Sequence, residues 1–481
     1  MSIRILLLLL ILFSARIWAD PFALPDFGST ADTLLSAQEE RELGQAFMQK
    51  VRKSLPVLED PLLNDYLEDL GERLVQASDA TNRSFHFFFI DRPLVNAFAG
   101  PDGYIGVYAG LLLTSQSEAE LAAVLAHEIA HVTQRHLLRA LEDQQRFSGP
   151  TLALMIAAAI LGAQVDSNVG AAALAGIQAA SLQHQINFTR HNEEEADRLG
   201  IQALAEAEFD PYAMAGFFKR LAKHSRAYGN DAPEFLRTHP VTANRIADAL
   251  ARADRYGHKQ RPDDLRYHLA RARLRVLGFK DPQKALAYFK TNLQAGRYRN
   301  RTAEIYGYAL SLVRAHRKAE AKPWVKTLRE QYPNQAAFLI LDAKLSPPEA
   351  GIRMLRTAVG LRPDHLPLRV AYAELLTRAG KPKEALATLE GFLRFHRGNA
   401  SLYGLMEDAA LKAGRKAATH RYRGEKLYHQ GDLKAAIRQL ELALRTPGIG
   451  FHEAAEIQAR LLKMRAEQKA QKKEHKKKGN A

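Results

Sequence analysis

Residues 117–133 read SEAELAAVLAHEIAHVT. Ser117 and Glu120 have capping-box spacing, so the segment opens a helix, expected to run to about Leu141. Small and branched apolar residues fill most positions from Leu121 to Ala126, so the helix is expected to be largely buried. His127 and His131 are set into it four residues apart. Residues at that spacing share a helix face, so two imidazole nitrogens can reach one ion about 2.0–2.1 Å away. Glu128 lies one position on, near enough to reach a water at that ion without being a ligand. The rival reading is a helix with two surface histidines and a salt-bridging glutamate. With 17 histidines in 481 residues, context must carry the assignment. The apolar flanks supply part of it, because buried imidazoles need polar partners.

The rest comes from residues 191–200, HNEEEADRLG. A catalytic zinc site takes three protein ligands and keeps one position open. Glu193, Glu194 and Glu195 are adjacent, so a helix points them in three directions, and Asp197 shares the face of Glu193. That spacing favours Glu193 as the third ligand. Asp197 then orients a ligand imidazole through its far N–H. Alone, an acidic run would read as a solvated helix start.

Two further stretches complete a pattern. Residues 96–113, NAFAGPDGYIGVYAGLLL, place a Gly100-Pro101-Asp102-Gly103 turn between apolar runs, which predicts a hairpin. Residues 237–246 read RTHPVTANRI. In chain order, the hairpin, HEIAH, NEEEAD and RTHPVTANRI resemble the zinc-metallopeptidase family that includes the CaaX prenyl endopeptidases, over about residues 36–255. The resemblance implies a zincin-type, gluzincin-like metalloprotease domain that hydrolyses peptide bonds with one zinc ion. It implies His127, His131 and Glu193 as ligands and Glu128 as general base. It implies an edge strand at Asn96, Ala97, Phe98 and Ala99 that pairs with substrate backbone. It also implies a histidine near the metal, here His239, with Arg245 six residues on. His239 would either stabilise the oxyanion of the reaction or fill the metal's fourth position in a resting form, and Arg245 could support the same oxyanion. From the residues alone, a histidine before a proline is more often a structural loop residue.

Upstream, Ser36 opens a helix to about Leu55 and Asp60-Pro61 another to about Ala77. Phe85–Ile90 (FHFFFI) reads as a short buried strand. A helix is expected from about Asn187 to Glu208. Residues 150–182 are rich in Ala, Leu, Ile and Gly but broken by polar residues at Gln164, Asp166, Ser167 and Asn168. They are too short an apolar run to span a bilayer, and read as a buried helical hairpin or as a lid or membrane-contacting loop.

From about residue 265 the pattern is wholly helical. Five segments align on Ala285, Ala321, Ala350, Ala385 and Ala436, spaced 36, 29, 35 and 51 residues apart. A period near 34 with a small residue where paired helices cross is the tetratricopeptide signature, and the longest gap is expected to hold half a repeat. The fold class is therefore mostly α with a small β-sheet, ending in an all-α tetratricopeptide-like superhelix. The expected organisation is a signal peptide over 1–19, a protease domain over 20–260, repeats over 265–463 and a basic disordered tail over 464–481.

The start supports export. Arg4 precedes an apolar run from Ile5 to Phe13, and Ala19 marks a cleavage point; an uncleaved membrane anchor is the rival reading. The formal charge of +15 falls to +13 without Arg4 and Arg16. There is no cysteine, which excludes disulfides, thiol nucleophiles and thiolate ligands. A bacterial periplasm fits. Residues 465–481 carry seven Lys or Arg against two Glu, which reads as a solvated tail rather than a nucleic-acid site, with peripheral membrane contact as the remaining alternative. Protease, signal and repeats together are similar to the periplasmic β-barrel assembly-enhancing proteases of that family. That likeness implies misassembled envelope proteins as substrates and outer-membrane β-barrel assembly machinery as a docking partner for the repeats. It also leaves room for a chaperone-like role in which proteolysis is secondary.

Overall fold

The computed structural model describes residues 35–80, 83–140, 156–157, 190–228, 234–396 and 399–479. The expected signal peptide and nearly all of 150–182 lie outside these residues. Helix α1 (Ala37–Ser54) starts where Ser36 and Glu39 cap each other. Strand β1 (Val57–Leu58) and helix α2 (Pro61–Gln76) follow, with the Asp60 carboxylate accepting from Leu62 and Leu63 N–H. Strands β2 (His86–Ile90), β3 (Ala97–Ala99) and β4 (Tyr104–Tyr108) complete a sheet of order β1-β2-β4-β3. β2 and β4 are parallel; the outer pairs are antiparallel. The β3–β4 turn needs Gly103, because its φ is +69° and a Cβ there would lie 2.1 Å from the Ser84 carbonyl oxygen.

Strand alternation splits the apolar residues between two faces. Phe87, Phe89, Ala97, Ile105 and Val107 join α2 and the HEIAH helix in the main core. Phe88, Ile90, Phe98 and Tyr108 face Phe47 and Val51 of α1. β3 is left at the sheet edge.

Helix α3 (Ala109–Thr114) leads to α4 (Glu118–Thr133), which carries HEIAH and is buried on nearly all sides. α4 does not run on to Leu141. Gln134 caps it, Arg135 takes a left-handed φ of 53°, and the chain restarts as α5 (His136–Ala140). No glycine or proline marks the break. Tertiary contacts decide it: Arg135 reaches Glu40 at 2.7 Å, and His136 swings back under α4. Helices α6 (Arg190–Glu206) and α7 (Tyr212–Tyr228) pack on α4, α9 (Ala243–Tyr256) packs on α6 and α7, and α8 (Glu234–Thr238) brings the Phe235 ring to His127.

The remaining helices form the repeat array, each packed on the next in sequence. They are α10 (Leu265–Gly278), α11 (Pro282–Ala295), α12 (Arg301–Arg314), α13 (Lys318–Gln331), α14 (Ala336–Leu345) and α15 (Pro348–Leu361). They continue through α16 (Leu366–Arg378), α17 (Pro382–Leu393), α18 (Ala400–Lys412), α19 (Lys416–His429), α20 (Leu433–Leu444) and α21 (Phe451–Gly479). Ala285, Ala321, Ala385 and Ala436 are fully buried. In the third segment the crossing residue is Gly351 rather than Ala350: a Cβ on Gly351 would lie 2.4 Å from the Ala343 carbonyl oxygen. Two helices, α18 and α19, separate α17 from α20, which accounts for the 51-residue spacing. The last helix extends into the basic stretch. α21 continues to Gly479 because Ala, Glu, Gln and Lys favour helix and no breaker precedes that glycine. Among the described residues no helix is long and apolar enough to cross a membrane.

The two halves share a core. Tyr267, Ala270 and Leu274 of α10 belong to the same apolar cluster as α2 and α4. The start of α4 is bonded to the start of α10: Glu118 N–H donates to Asp263 at 2.7 Å, and Asp264 N–H donates to Glu118 at 3.1 Å. Arg271, itself buried, donates to the Leu112 and Leu113 carbonyls at the end of α3 at 2.6 and 2.9 Å.

Candidate metal centre

α4 brings His127 and His131 to one face, with Nε2 atoms 3.0 Å apart. α6 adds Glu193, whose oxygens lie 3.6 Å from His127 Nε2 and 3.5 Å from His131 Nε2. The loop after α8 adds His239, with Nδ1 3.4 Å from His127 Nε2 and 2.9 Å from Glu193 Oε1. One ligand atom from each of the four lies within 4.8 Å of all the others, and all four residues are buried. Ligands about 2.1 Å from one ion in a tetrahedral array stand about 3.4 Å apart, close to this spacing. Four ligand-type atoms from three separate segments converge here, an arrangement that imidazole lone pairs facing one another favour only around a cation. The donor set of imidazoles and a carboxylate suits zinc.

Electrostatics favour ligation. Burial holds the His131 imidazole well below its ordinary pKa, so its lone pair is available. Burial alone would raise Glu193, but His239, His131 and His127 hold it well below the carboxylate range. Burial opposes charge on His239, yet Glu193 and Glu128 raise its pKa.

Glu128 is buried beside the cluster, and burial pushes its carboxyl up. Oε1 has no hydrogen-bond partner and lies 3.5 Å from His239 Nε2. The carboxylate also accepts from the backbone N–H of Ala99, so the edge strand β3 ends at Glu128. Ala97 and Phe98 are buried, and Asn96 turns inward with its Oδ1 accepting from Ala97 N–H at 2.9 Å.

Asp197 stands behind the ligands. Its Oδ1 is 2.9 Å from His127 Nδ1, without in-line hydrogen-bond geometry. Arg245 differs from the expected oxyanion donor. Its Nε and Nη2 hold both Asp197 oxygens at 2.7 and 2.8 Å, and Nη1 reaches Pro240 O at 2.9 Å and Glu193 Oε2 at 2.7 Å. The guanidinium thus faces Asp197 and Glu193, both of which lie beside the His127 imidazole. The sequence reading passed over His136, fully buried at 2.8 Å from His131. It treated Glu195 only as one of three adjacent glutamates; its carboxylate is 3.0 Å from His136. The run HVTQRH held the signal, but a continuous helix would have pointed His136 away.

Residues 61–253 match the pattern of peptidase family M48, and residues 347–409 match a tetratricopeptide repeat. The chain is 34% identical over 446 residues to the beta-barrel assembly-enhancing protease of Escherichia coli strain K12, covering 92% of this chain and 91% of that protein. The protein of that name from Yersinia pestis is 34% identical over 448 residues, covering 92% and 91%. A mitochondrial metalloendopeptidase of Arabidopsis thaliana is 28% identical over 252 residues, covering 50% of this chain and 48% of its own. With its histidines and glutamates gathered into one buried cluster, the chain belongs to peptidase family M48, as a metalloendopeptidase carrying tetratricopeptide repeats.

Proposed function

We propose that this chain is a zinc endopeptidase of the bacterial periplasm that degrades misassembled outer-membrane or envelope proteins, and that its repeats dock on assembly machinery. The observation that carries the catalytic part is Glu128, with a buried Oε1 beside four candidate ligand atoms and at the end of an edge strand. The names of the Escherichia coli and Yersinia pestis relatives support the envelope part, and a signal peptide cleaved after Ala19 would deliver the chain there.

His127, His131 and Glu193 would hold the zinc. Bound there, zinc supplies Lewis-acid polarisation of a carbonyl and lowers the pKa of a coordinated water to about 7. Glu128 takes the attacking water's proton on Oε1 and delivers it to the departing amide nitrogen. The substrate lies extended along β3 and pairs with the outer edge of Ala97–Ala99, taking the place of the Asn96 and Glu128 oxygens that the Ala97 and Ala99 N–H groups face. Such pairing reads backbone more than side chains, so selection falls to access and to the repeats. His239 sits among the ligands, which supports a latent resting form in which it fills the fourth position until displaced.

The test is Glu128→Gln: zinc content unchanged, cleavage of an unfolded envelope protein abolished. Undiminished cleavage would sink the assignment. A second reading, an assembly factor with secondary proteolysis, rests on the same His239 placement. It predicts that Glu128→Gln still rescues the envelope defects of a deletion strain.

A further inference from the structure

His136 and Glu195 have no part in binding or cleaving substrate as proposed above, yet they form a line running out from the metal centre. His136 is fully buried, and its Nδ1 lies 2.8 Å from His131 Nδ1. Its Nε2 lies 3.0 Å from Glu195 Oε2. Arg139 and Arg198 flank that carboxylate at 3.5 and 3.9 Å and hold it in place from the solvent side. The line exists because of a backbone device. His136 follows His131 by five residues and would leave its face in a continuous helix. The left-handed Arg135, at φ 53°, folds it back. Non-glycine residues occupy that region at a cost, and such positions collect at functional sites.

The proton positions along the line are determined. His131 turns Nε2 toward the other candidate ligands, so as a ligand its Nδ1 carries the hydrogen. That N–H donates to His136 Nδ1, which must then be a bare acceptor. The hydrogen of His136 sits on Nε2 and donates to the Glu195 carboxylate. No other tautomer pair satisfies both bonds with His131 as a ligand.

We propose that His136 and Glu195 are positioning residues for the metal. They fix the tautomer and ring orientation of His131 and raise its basicity as a ligand, in parallel with Asp197 behind His127. The proposal rests on the reading that His131 binds zinc. Outer partners of this kind are worth about 10–100-fold in metal affinity.

The test uses the full mature chain and zinc alone, with affinity measured by competition against a chromogenic chelator. His136→Ala is expected to weaken zinc binding about 10–100-fold. Glu195→Ala is expected to weaken it less, and the double variant no more than His136→Ala, because Glu195 acts only through His136. His136→Gln, whose amide can accept from His131 and donate to Glu195, should recover most of the affinity. Cobalt substitution gives a second readout, since a displaced His131 changes the visible absorption bands. Glu195 is partly exposed, so its variant reports even where His136→Ala does not fold. Unchanged affinity in folded His136→Ala or in Glu195→Ala, or additive losses in the double variant, would overturn the proposal. If the unaltered chain and Glu193→Ala take up equally little zinc, the metal-site reading itself fails and takes this one with it.

Discussion

Gly200 of α6 lies against the backbone of His127: a Cβ on Gly200 would stand 3.1 Å from the His127 nitrogen and 3.0 Å from Met214 Cε. The helix with Glu193 and Asp197 is thus seated on the helix with both histidines by a missing side chain. Gly200→Ala asks for a shift of a few tenths of an ångström and is expected to be near neutral. Gly200→Val should push the helices apart, costing about 1–3 kcal/mol. Thermal melts with zinc titration check this: Tm and zinc affinity should fall together.

Arg245 compensates two buried carboxylates, Asp197 and Glu193. Arg245→Met should remove the guanidinium from both and leave Asp197 with the larger loss, with a cost of about 3–5 kcal/mol in the metal-free protein. Arg245→Lys should recover little, since an ammonium cannot hold both Asp197 oxygens side by side. Denaturant unfolding of the chelator-treated protein measures it.

Burial lowers the pKa of His429 on α19 to about 4. The folded imidazole therefore stays neutral where the unfolded one, at about 6.5, takes up a proton. Between those values the unfolded state binds more protons, so stability is full above pH 6.5 and falls as pH drops toward 4. His429→Asn should flatten this limb. Melting curves at pH 7 and pH 5 give the comparison, and an equal drop in both proteins would refute the assignment.

Arg271 caps the carbonyls at the end of α3, immediately before the catalytic helix. Arg271→Ala leaves buried acceptors without donors, at a cost of about 1–3 kcal/mol. Limited proteolysis should then show new cuts near the junction of α9 and α10. A digestion pattern identical to that of the unaltered chain would count against the role.

Much of the candidate site was legible because its geometry is local. His127, His131 and Glu128 lie within one helical turn, and Glu193 and Asp197 within another. The hairpin was legible from Gly100 to Gly103, where the chain needs special backbone angles. Contacts between distant segments were not. Arg245 was assigned to the oxyanion because nothing in its own segment reveals that Asp197 and Glu193 face it. His136 was missed because the break at Arg135 carries no glycine, so its cause lies in Glu40 and His131 rather than in the local sequence. Ala350 was chosen over Gly351 because an alignment on alanine overlooks a smaller residue one place along.

The placement of Tyr267, Ala270 and Leu274 in the core around α4 bears on where the chain can be cut. A fragment ending near residue 260 would lack a wall of the protease interior and leave the apolar residues under α10 facing water. The first repeat helix therefore belongs to the catalytic half as much as to the array, and the two are expected to melt together rather than in two steps.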